Sequence, residues 1–218
     1  MKHLLFKAVL LSSLFIGISL NAFCQNSGDI QLPDPYQSGG KPLMQCLKDR
    51  HSSREFSKDA LSLQELSNLL WAANGINRPE SGKLTAPTAM NKQNMEVYVV
   101  LPEGIYFYEA KSYQLKLIAS GNFMKLTGKQ GFVDNAALNV VIVSDLDKLG
   151  NSDSEEKTLY SGIHAGAIVQ NIYLYCASSD LNTVTRRWFD ADGLKKAMNL
   201  PDAKSIILCQ TVGKMKPE

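Results

Sequence analysis

Arg50-His51-Ser52-Ser53-Arg54 puts two guanidinium groups, an imidazole and two hydroxyls into five consecutive residues. Such a density of donors and positive charge suits a phosphate group. Arginine meets phosphate oxygens bidentately, and hydroxyls and backbone N–H groups take those that remain. Taken alone, the run reads more plainly as a basic surface patch. A second segment, Pro87-Thr88-Ala89-Met90-Asn91-Lys92-Gln93-Asn94, gathers three amide side chains and a hydroxyl on a loop that enters a valine-rich run. Amides offer donor and acceptor together, which matches a heterocycle edge alternating C=O and N–H. A polar turn before a strand is the plainer reading of that segment by itself. Gln170-Asn171 interrupts an otherwise apolar stretch and needs partners from backbone, ligand or a neighbouring subunit; in isolation it reads as a pair of satisfied core amides. His164, in the same stretch, reads as a satisfied core histidine rather than an acid or base. Only His3, His51 and His164 occur in the chain. Catalytic carboxylate pairs, metal-ligand spacings and a Gly-x-Ser-x-Gly elbow are absent, so hydrolase and metalloenzyme readings are poor.

The elements that must carry these groups follow from periodicity. Leu43, Cys46 and Leu47 fall at i, i+3 and i+4 and predict a short helix over 42–49, delivering the Arg50–Arg54 cluster at its end. A second helix starts at Ser62, where Ser-Leu-Gln-Glu forms a capping box through Glu65. Its apolar stripe is Leu66, Leu69, Leu70 and Ala73, and Gly75 marks its stop. Residues 77–94 read as loop. Met95–Leu101 reads as a strand turned back by Pro-Glu-Gly into Ile105–Tyr108, a hairpin. Further buried strands are expected at Leu138–Val143 and Ile206–Val212. Gly162–Ala177 is apolar nearly all round, as in a helix buried in a core or an interface. Gly162 and Gly166 lie four apart on it and leave room for another helix or a flat ligand. Helices and strands interleave without a regular βαβ rhythm, which favours an α+β fold.

The first 24 residues read as a secretory signal peptide: Lys2 and Lys7, an apolar run from Ala8 to Leu20, then Asn21-Ala22-Phe23-Cys24. That run falls short of the roughly 20 residues a membrane span needs. Cleavage after Cys24 leaves an extended leader over 25–41 and a single domain over 42–218, exported, soluble and periplasmic, with no transmembrane segment. The alternative, a lipoprotein acylated at Cys24, is weakened by bulky Phe23. The whole chain has 23 Lys+Arg against 21 Asp+Glu; without Lys2 and Lys7 the balance is even. A nucleic-acid-binding role is therefore not expected. Cys46, Cys176 and Cys209 would remain, an odd number in apolar contexts. Buried thiols are the default, although one pair could bridge.

In order and together, these segments resemble the nitroreductase family of flavin-dependent oxidoreductases, and within it the SagB-type, oxazoline-dehydrogenase-like branch. The resemblance runs from about Pro42 to Lys216. It rests on Arg50–Arg54 after a short helix, on the Pro87–Asn94 loop leading into Glu96-Val97-Tyr98-Val99-Val100, and on Gly104-Ile105-Tyr106-Phe107-Tyr108. It continues through Gly166-Ala167-Ile168-Val169-Gln170-Asn171-Ile172-Tyr173-Leu174, Leu181-Asn182-Thr183-Val184 and Gln210-Thr211-Val212-Gly213. The resemblance implies a mostly antiparallel central sheet flanked by helices, and a homodimer with FMN at the subunit interface. Position by position it implies that Arg50, His51, Ser52 and Arg54 hold the phosphate and ribityl chain. Thr88, Ala89, Met90, Asn91 and Gln93 would lie along the isoalloxazine ring and ribityl. Arg186 and Arg187 fall where the family places backbone donors at the ring's N5 and O4 edge. Lys214 or Lys216 would close over the phosphate. Arg186-Arg187-Trp188 is bulkier and more basic than in many relatives, which narrows the substrate space or favours an acidic substrate unless the side chains point away.

The implied activity is two-electron exchange with a small organic substrate through flavin N5, without an identifiable side-chain acid or base. Two other classes compete: an exported, non-catalytic module that binds flavin or another planar phosphate-bearing ligand, and a structural dimeric domain whose basic cluster is only a solvated face. Export favours the former, because nicotinamide donors are cytoplasmic.

Overall fold

The computed structural model describes residues 28–216; the signal-peptide reading and its cleavage point lie outside them. Numbered in chain order, the elements are β1 (Ile30–Gln31), α1 (Leu43–Asp49), α2 (Leu63–Asn74), β2 (Ile76–Arg78), β3 (Lys83–Leu84), β4 (Met95–Leu101), β5 (Gly104–Glu109), β6 (Gln114–Ser120), β7 (Leu138–Asp145), α3 (Ser154–Ser178), β8 (Leu181–Arg186), α4 (Ala191–Ala197) and β9 (Lys204–Lys214). Seven strands form one sheet in the order β1-β6-β5-β4-β7-β9-β8, every pair antiparallel. This is the expected α+β architecture. β2 and β3 form a separate hairpin inside the segment 77–94 that reads as loop.

The central strands β4 and β7 are covered on both faces, which is why they read as continuous valine-rich runs rather than as alternating ones. One face, with Val97, Val99, Val140, Ile142 and Val212, packs under α2 and α3. The other, with Tyr98, Val100, Val141, Val143 and Cys209, packs against Leu194 and Met198 at α4. The capping box of α2 forms as its sequence requires: Glu65 N–H donates to Ser62 Oγ at 3.2 Å and Ser62 N–H to Glu65 Oε2 at 2.6 Å. Gly75 ends the helix for a different reason from the left-handed turn usual at such stops. Its φ is −79°, but a Cβ there would lie 2.7 Å from the Trp71 backbone.

Residues 28–41 hold the short strand β1 and otherwise neither helix nor strand, and they are stitched to the domain rather than standing off it. Leu32 is 2 % exposed, Asp29 accepts from Leu117 N–H at 2.8 Å, and Tyr36 N–H donates to Asn68 Oδ1 at 2.7 Å. Cys46, Cys176 and Cys209 are free and buried.

α3 is longer than its apolar stretch predicts, because Asp153 caps it upstream, accepting from Glu156 N–H at 2.8 Å. Its inner face carries Ser161, His164, Ala165, Ile168, Val169, Ile172, Tyr173 and Cys176. Leu159 and Ile163 point outwards, 60 % and 55 % exposed. Gln170 is exposed on that outer side and Asn171 is half-buried, so they are not core amides. A Cβ added at Gly162 or Gly166 would meet nothing within 4 Å. On α1, only Cys46 is buried; Leu43, Met44 and Leu47 face out.

Candidate functional site

The Arg50–Arg54 segment leaves the end of α1 and lies along the free edge of β8, the terminal strand of the sheet. Ser53 N–H donates to Thr183 O at 3.0 Å, and farther on Asn182 Nδ2 donates to Glu55 O at 2.6 Å. Tyr173 of α3 holds the segment from behind. Its hydroxyl accepts from Thr185 N–H at 3.1 Å and shares a 2.8 Å hydrogen bond with Ser52 Oγ, while the Arg50 guanidinium lies 5.3 Å from the centre of its ring. Tyr173 is a positioning residue that the sequence reading missed. The available signal was a tyrosine within an apolar helix, whose hydroxyl must find a partner when buried.

His51 and Arg54 are exposed and Arg50 is half-exposed. Among the described residues, none of the three forms an ion pair. The end of β9 arrives beside them: Met215 bridges Phe56, Ser57 N–H donates to Lys214 O at 3.0 Å, and His51 and Met215 line one cavity. Lys214 Nζ lies 3.8 Å from Glu65 Oε2, and Lys216 is exposed. Of the cations predicted for a phosphate, His51 thus stands beside the end of β9 and Arg50 over Tyr173 of the same cavity wall, while Lys214 turns to Glu65.

The second predicted segment is held by a buried polar chain. Ala89 N–H donates to His164 Nε2 at 2.8 Å, so the ring proton sits on Nδ1 and is donated to Asn94 Oδ1 at 2.7 Å. Asn94 Nδ2 donates to Ser144 Oγ at 2.8 Å, and Ser144 shares a hydrogen bond with Ser161, which donates to Lys157 O. Asn94 and Ser144 are fully buried and His164 is 2 % exposed. Burial pushes the His164 pKa below the ordinary imidazole value, which keeps Nε2 an acceptor. The loop so anchored is unusual: Met90, Asn91 and Gln93 have φ of 50°, 53° and 46°. Thr88 Oγ1 accepts from Gln93 N–H at 2.9 Å, and Gln93 Nε2 donates to Gly82 O at 3.0 Å. Met90 is left 80 % exposed at the tip.

The adjacent arginines part company: Arg186 closes β8 and Arg187 lies just beyond it. Arg186 turns onto the sheet face opposite α3 and is 8 % exposed. Its guanidinium is spent on Thr127 O and Oγ1 at 3.1 Å, on Asn139 Oδ1 at 2.5 Å and on Thr211 Oγ1. Burial lowers its pKa to about 10, partly opposed by Cys209, so it stays charged at neutral pH. Arg187 is exposed, stacks 5.3 Å from the Phe189 ring, and lines a cavity of about 560 Å³ together with Gly162 of α3.

Two of these stations sit on opposite flanks of one helix. His164 and Tyr173 are nine residues apart in α3. At about 100° per residue that is half a turn out of phase, and it spans about 13.5 Å. The Ala89–Gln93 loop and the Arg50–Arg54 cluster therefore stand at the two margins of the buried face. Gly162 and Gly166 fall on the margin that Tyr173 occupies, beside β8.

The sequence profile of the nitroreductase family matches residues 47–214. The chain belongs to the nitroreductase family. A protein of Methanocaldococcus jannaschii whose name places it among the nitroreductases is 27 % identical over 190 residues, covering 83 % of this chain and 94 % of its own. A crystal structure from Ralstonia eutropha, also assigned to the nitroreductases, superimposes with a TM-score of 0.82 at 38 % identity, over 87 % of this chain and 90 % of that one. The Escherichia coli microcin synthetase McbBCD complex has the same fold, with a TM-score of 0.66 at 18 % identity, over 99 % of this chain and 79 % of that one. Membership of the nitroreductases supports an oxidoreductase-type function. Members of the family generally use FMN, and the donor set here fits it: guanidiniums without carboxylate partners suit a dianion, and an amide-bearing loop suits the edge of a heterocycle. Among the described residues no helix is long and apolar enough to cross a membrane.

Proposed function

We propose that this nitroreductase is a homodimeric, exported FMN-dependent oxidoreductase acting on a small organic substrate. The observation that carries the proposal is the Arg50–Arg54 segment. It lies along the free edge of β8 with its guanidiniums unpaired, at one end of a margin of α3 bared by Gly162 and Gly166 and leading to Arg187. Arg50, His51, Ser52, Arg54 and a lysine of the C-terminal segment, Lys214 or Lys216, would hold the phosphate. Backbone N–H groups at Arg186 and Arg187 would meet the ring edge, with the Arg186 side chain serving the fold instead. When bound, FMN supplies two-electron exchange at its N5.

The half-turn between His164 and Tyr173 supports a division of labour between subunits. Thr88, Ala89, Met90, Asn91 and Gln93 of one subunit would complete the flavin site of the other. The exposed Leu43, Met44, Leu47, Leu159 and Ile163 give the dimer an apolar surface to bury. The SagB-type assignment is part of this proposal, and the microcin synthetase likeness supports it at the level of fold.

The test is a purification of the chain from Gln25. The preparation is expected to be yellow, with a flavin absorbance band, and to elute as a dimer. Arg50→Ala and Arg54→Ala are expected to weaken FMN retention at least about tenfold, the effect of one charge-assisted hydrogen bond, whereas Lys129→Ala retains it. A colourless protein that rejects added FMN, or equal retention in all three variants, would refute the assignment. A second reading, a flavin-binding module without turnover, is favoured by one observation: both nitrogens of His164, the only buried histidine among the described residues, are occupied. Anaerobic reduction by NADH, NADPH or dithionite, followed by reoxidation with a substrate, separates the two.

A further inference from the structure

The cavity beside Arg187 carries more positive charge than a flavin ring requires. Four cations line it, Lys157, Arg187, Lys195 and Lys204, against one carboxylate, Asp192. Two of the four are already matched: Lys195 to Asp202 at 2.8 Å and Lys204 to Glu96 at 2.6 Å. Lys157 and Arg187 form no ion pair among the described residues, so the lining keeps a net positive charge. Two of the four hydroxyls of the wall are occupied. Thr158 Oγ1 donates to Ser154 O and Ser161 Oγ to Lys157 O, both at 2.7 Å. Ser154 and Ser205 add hydroxyls to the wall, and the unmatched charges of Lys157 and Arg187 are its strongest hold on a ligand. Leu146, Ile206 and Ile207 give the wall an apolar side, and Gly162 leaves its side of the cavity without a Cβ. At about 560 Å³ the space matches a small-molecule site. Stacking of Arg187 on Phe189 steadies its guanidinium at the rim.

We infer that this cavity selects an anionic, flat organic substrate, a carboxylate on an aromatic or conjugated frame. Arg187 is its bidentate partner, Lys157 the second charge, and Ile206 and Ile207 the apolar wall. The inference rests on the proposed flavin site, whose ring edge lies at the same Arg187. It goes beyond that site in naming the charge of the substrate, and it assigns Arg187 and Lys157 as specificity-determining residues.

The experiment uses the FMN-loaded dimer and two flat, non-reducible probes of equal shape and different charge, benzoate and benzamide. Each is titrated by calorimetry and by its perturbation of the flavin absorbance band, with no turnover required. Benzoate is expected to bind about tenfold or more tightly than benzamide, the scale of one charge-assisted contact. Arg187→Gln and Lys157→Gln are each expected to remove most of that difference, whereas Lys116→Gln, on β6 and separated from β9 by three strands, preserves it. Thermal unfolding of the three variants establishes that each is folded. Equal affinity for the two probes in the yellow wild-type protein, or a benzoate preference that survives both substitutions, would overturn the inference and leave the flavin site standing. A protein that does not hold FMN would overturn the flavin site and the inference with it.

Discussion

His164 is expected to position the Ala89–Gln93 loop, and two near-isosteric substitutions separate that task from its contribution to the core. The loop holds three non-glycine residues in the left-handed region, at about 1–2 kcal/mol each and less for Asn91. Opposing that strain of about 3–4 kcal/mol are the bonds that close the loop on itself, Asn91 N–H to Thr88 O, Lys92 N–H to Ala89 O and Gln93 N–H to Thr88 Oγ1, and those that tie it to the domain, Ala89 N–H to His164, Gln93 Nε2 to Gly82 O and Lys148 Nζ to Gln93 O. Each is worth about 1 kcal/mol net, and the Ala89 bond is the one that ties the left-handed stretch to α3, so its loss loosens that anchor. His164→Gln keeps an acceptor near the Nε2 position and loses the donor to Asn94. His164→Asn keeps a donor near Nδ1 and loses the acceptor for Ala89. Either leaves one buried group unpaired, so both should lower unfolding stability by about 1–3 kcal/mol in urea titration. They should part on the loop. Hydrogen exchange at the Ala89 amide should accelerate about tenfold in His164→Asn, with a matching loss of FMN affinity, and stay near wild type in His164→Gln. Equal protection of that amide and equal FMN affinity in the two variants would refute the positioning role.

The same contact sets a pH dependence. Burial depresses the folded-state pKa of His164, so its stabilisation is complete above the ordinary imidazole value of about 6.5. It is lost as pH falls through the depressed value, because a protonated Nε2 cannot accept from Ala89; FMN release and urea midpoint in wild type and His164→Gln test this. Arg186→Ala is expected to cost about 1.5–3 kcal/mol in unfolding stability, since Thr127, Asn139 and Thr211 lose their charged partner in the core and keep only their bonds to Met124 O, Val133 O and one another. Arg186→Lys should recover only part of the loss, because one ammonium cannot reproduce the fork. Co-expression of a subunit bearing Arg50→Ala and Arg54→Ala with one bearing Thr88→Ala and Asn91→Ala is expected to restore one intact flavin site per mixed dimer. Flavin content no higher than in either parent would show that both halves of the site belong to one chain.

Much of the fold was legible because local signals and burial agreed. The Ser62–Glu65 capping box, the stripe from Leu66 to Ala73 and the runs at β4 and β7 each state one structure at two levels. β6 and β8 were harder to see. In Gln114–Ser120 only Leu115 is fully buried, and Leu181–Arg186 carries polar residues that its outer position in the sheet tolerates. Without β8 as a strand, nothing in Arg186-Arg187 says which side chain enters the core and which faces solvent. The β2–β3 hairpin, with two and three residues per strand, falls below any periodic signal.

The site was legible as chemistry and not as geometry. The basic cluster and the amide loop were both singled out from residue type, and the proposal reads them as two ends of one ligand's site. Their arrangement depends on the phase of α3, and an apolar sequence on nearly every side of a helix has no phase to read. Gln170 was assigned to the core for that reason, although it stands outside. Once Ser161, His164, Ile168 and Ile172 are known to face inward, the half-turn between His164 and Tyr173 follows from helix pitch alone. One chain then presents the cluster on one flank and the loop on the other. A ligand that needs both is more easily met by a second copy of the helix, its outer face of Leu159, Ile163 and Gly166 turned to this one, than by any rearrangement within a packed core. The uniform apolarity that hid the phase of α3 is what such an arrangement demands of it, since one side must satisfy the sheet and the other a partner.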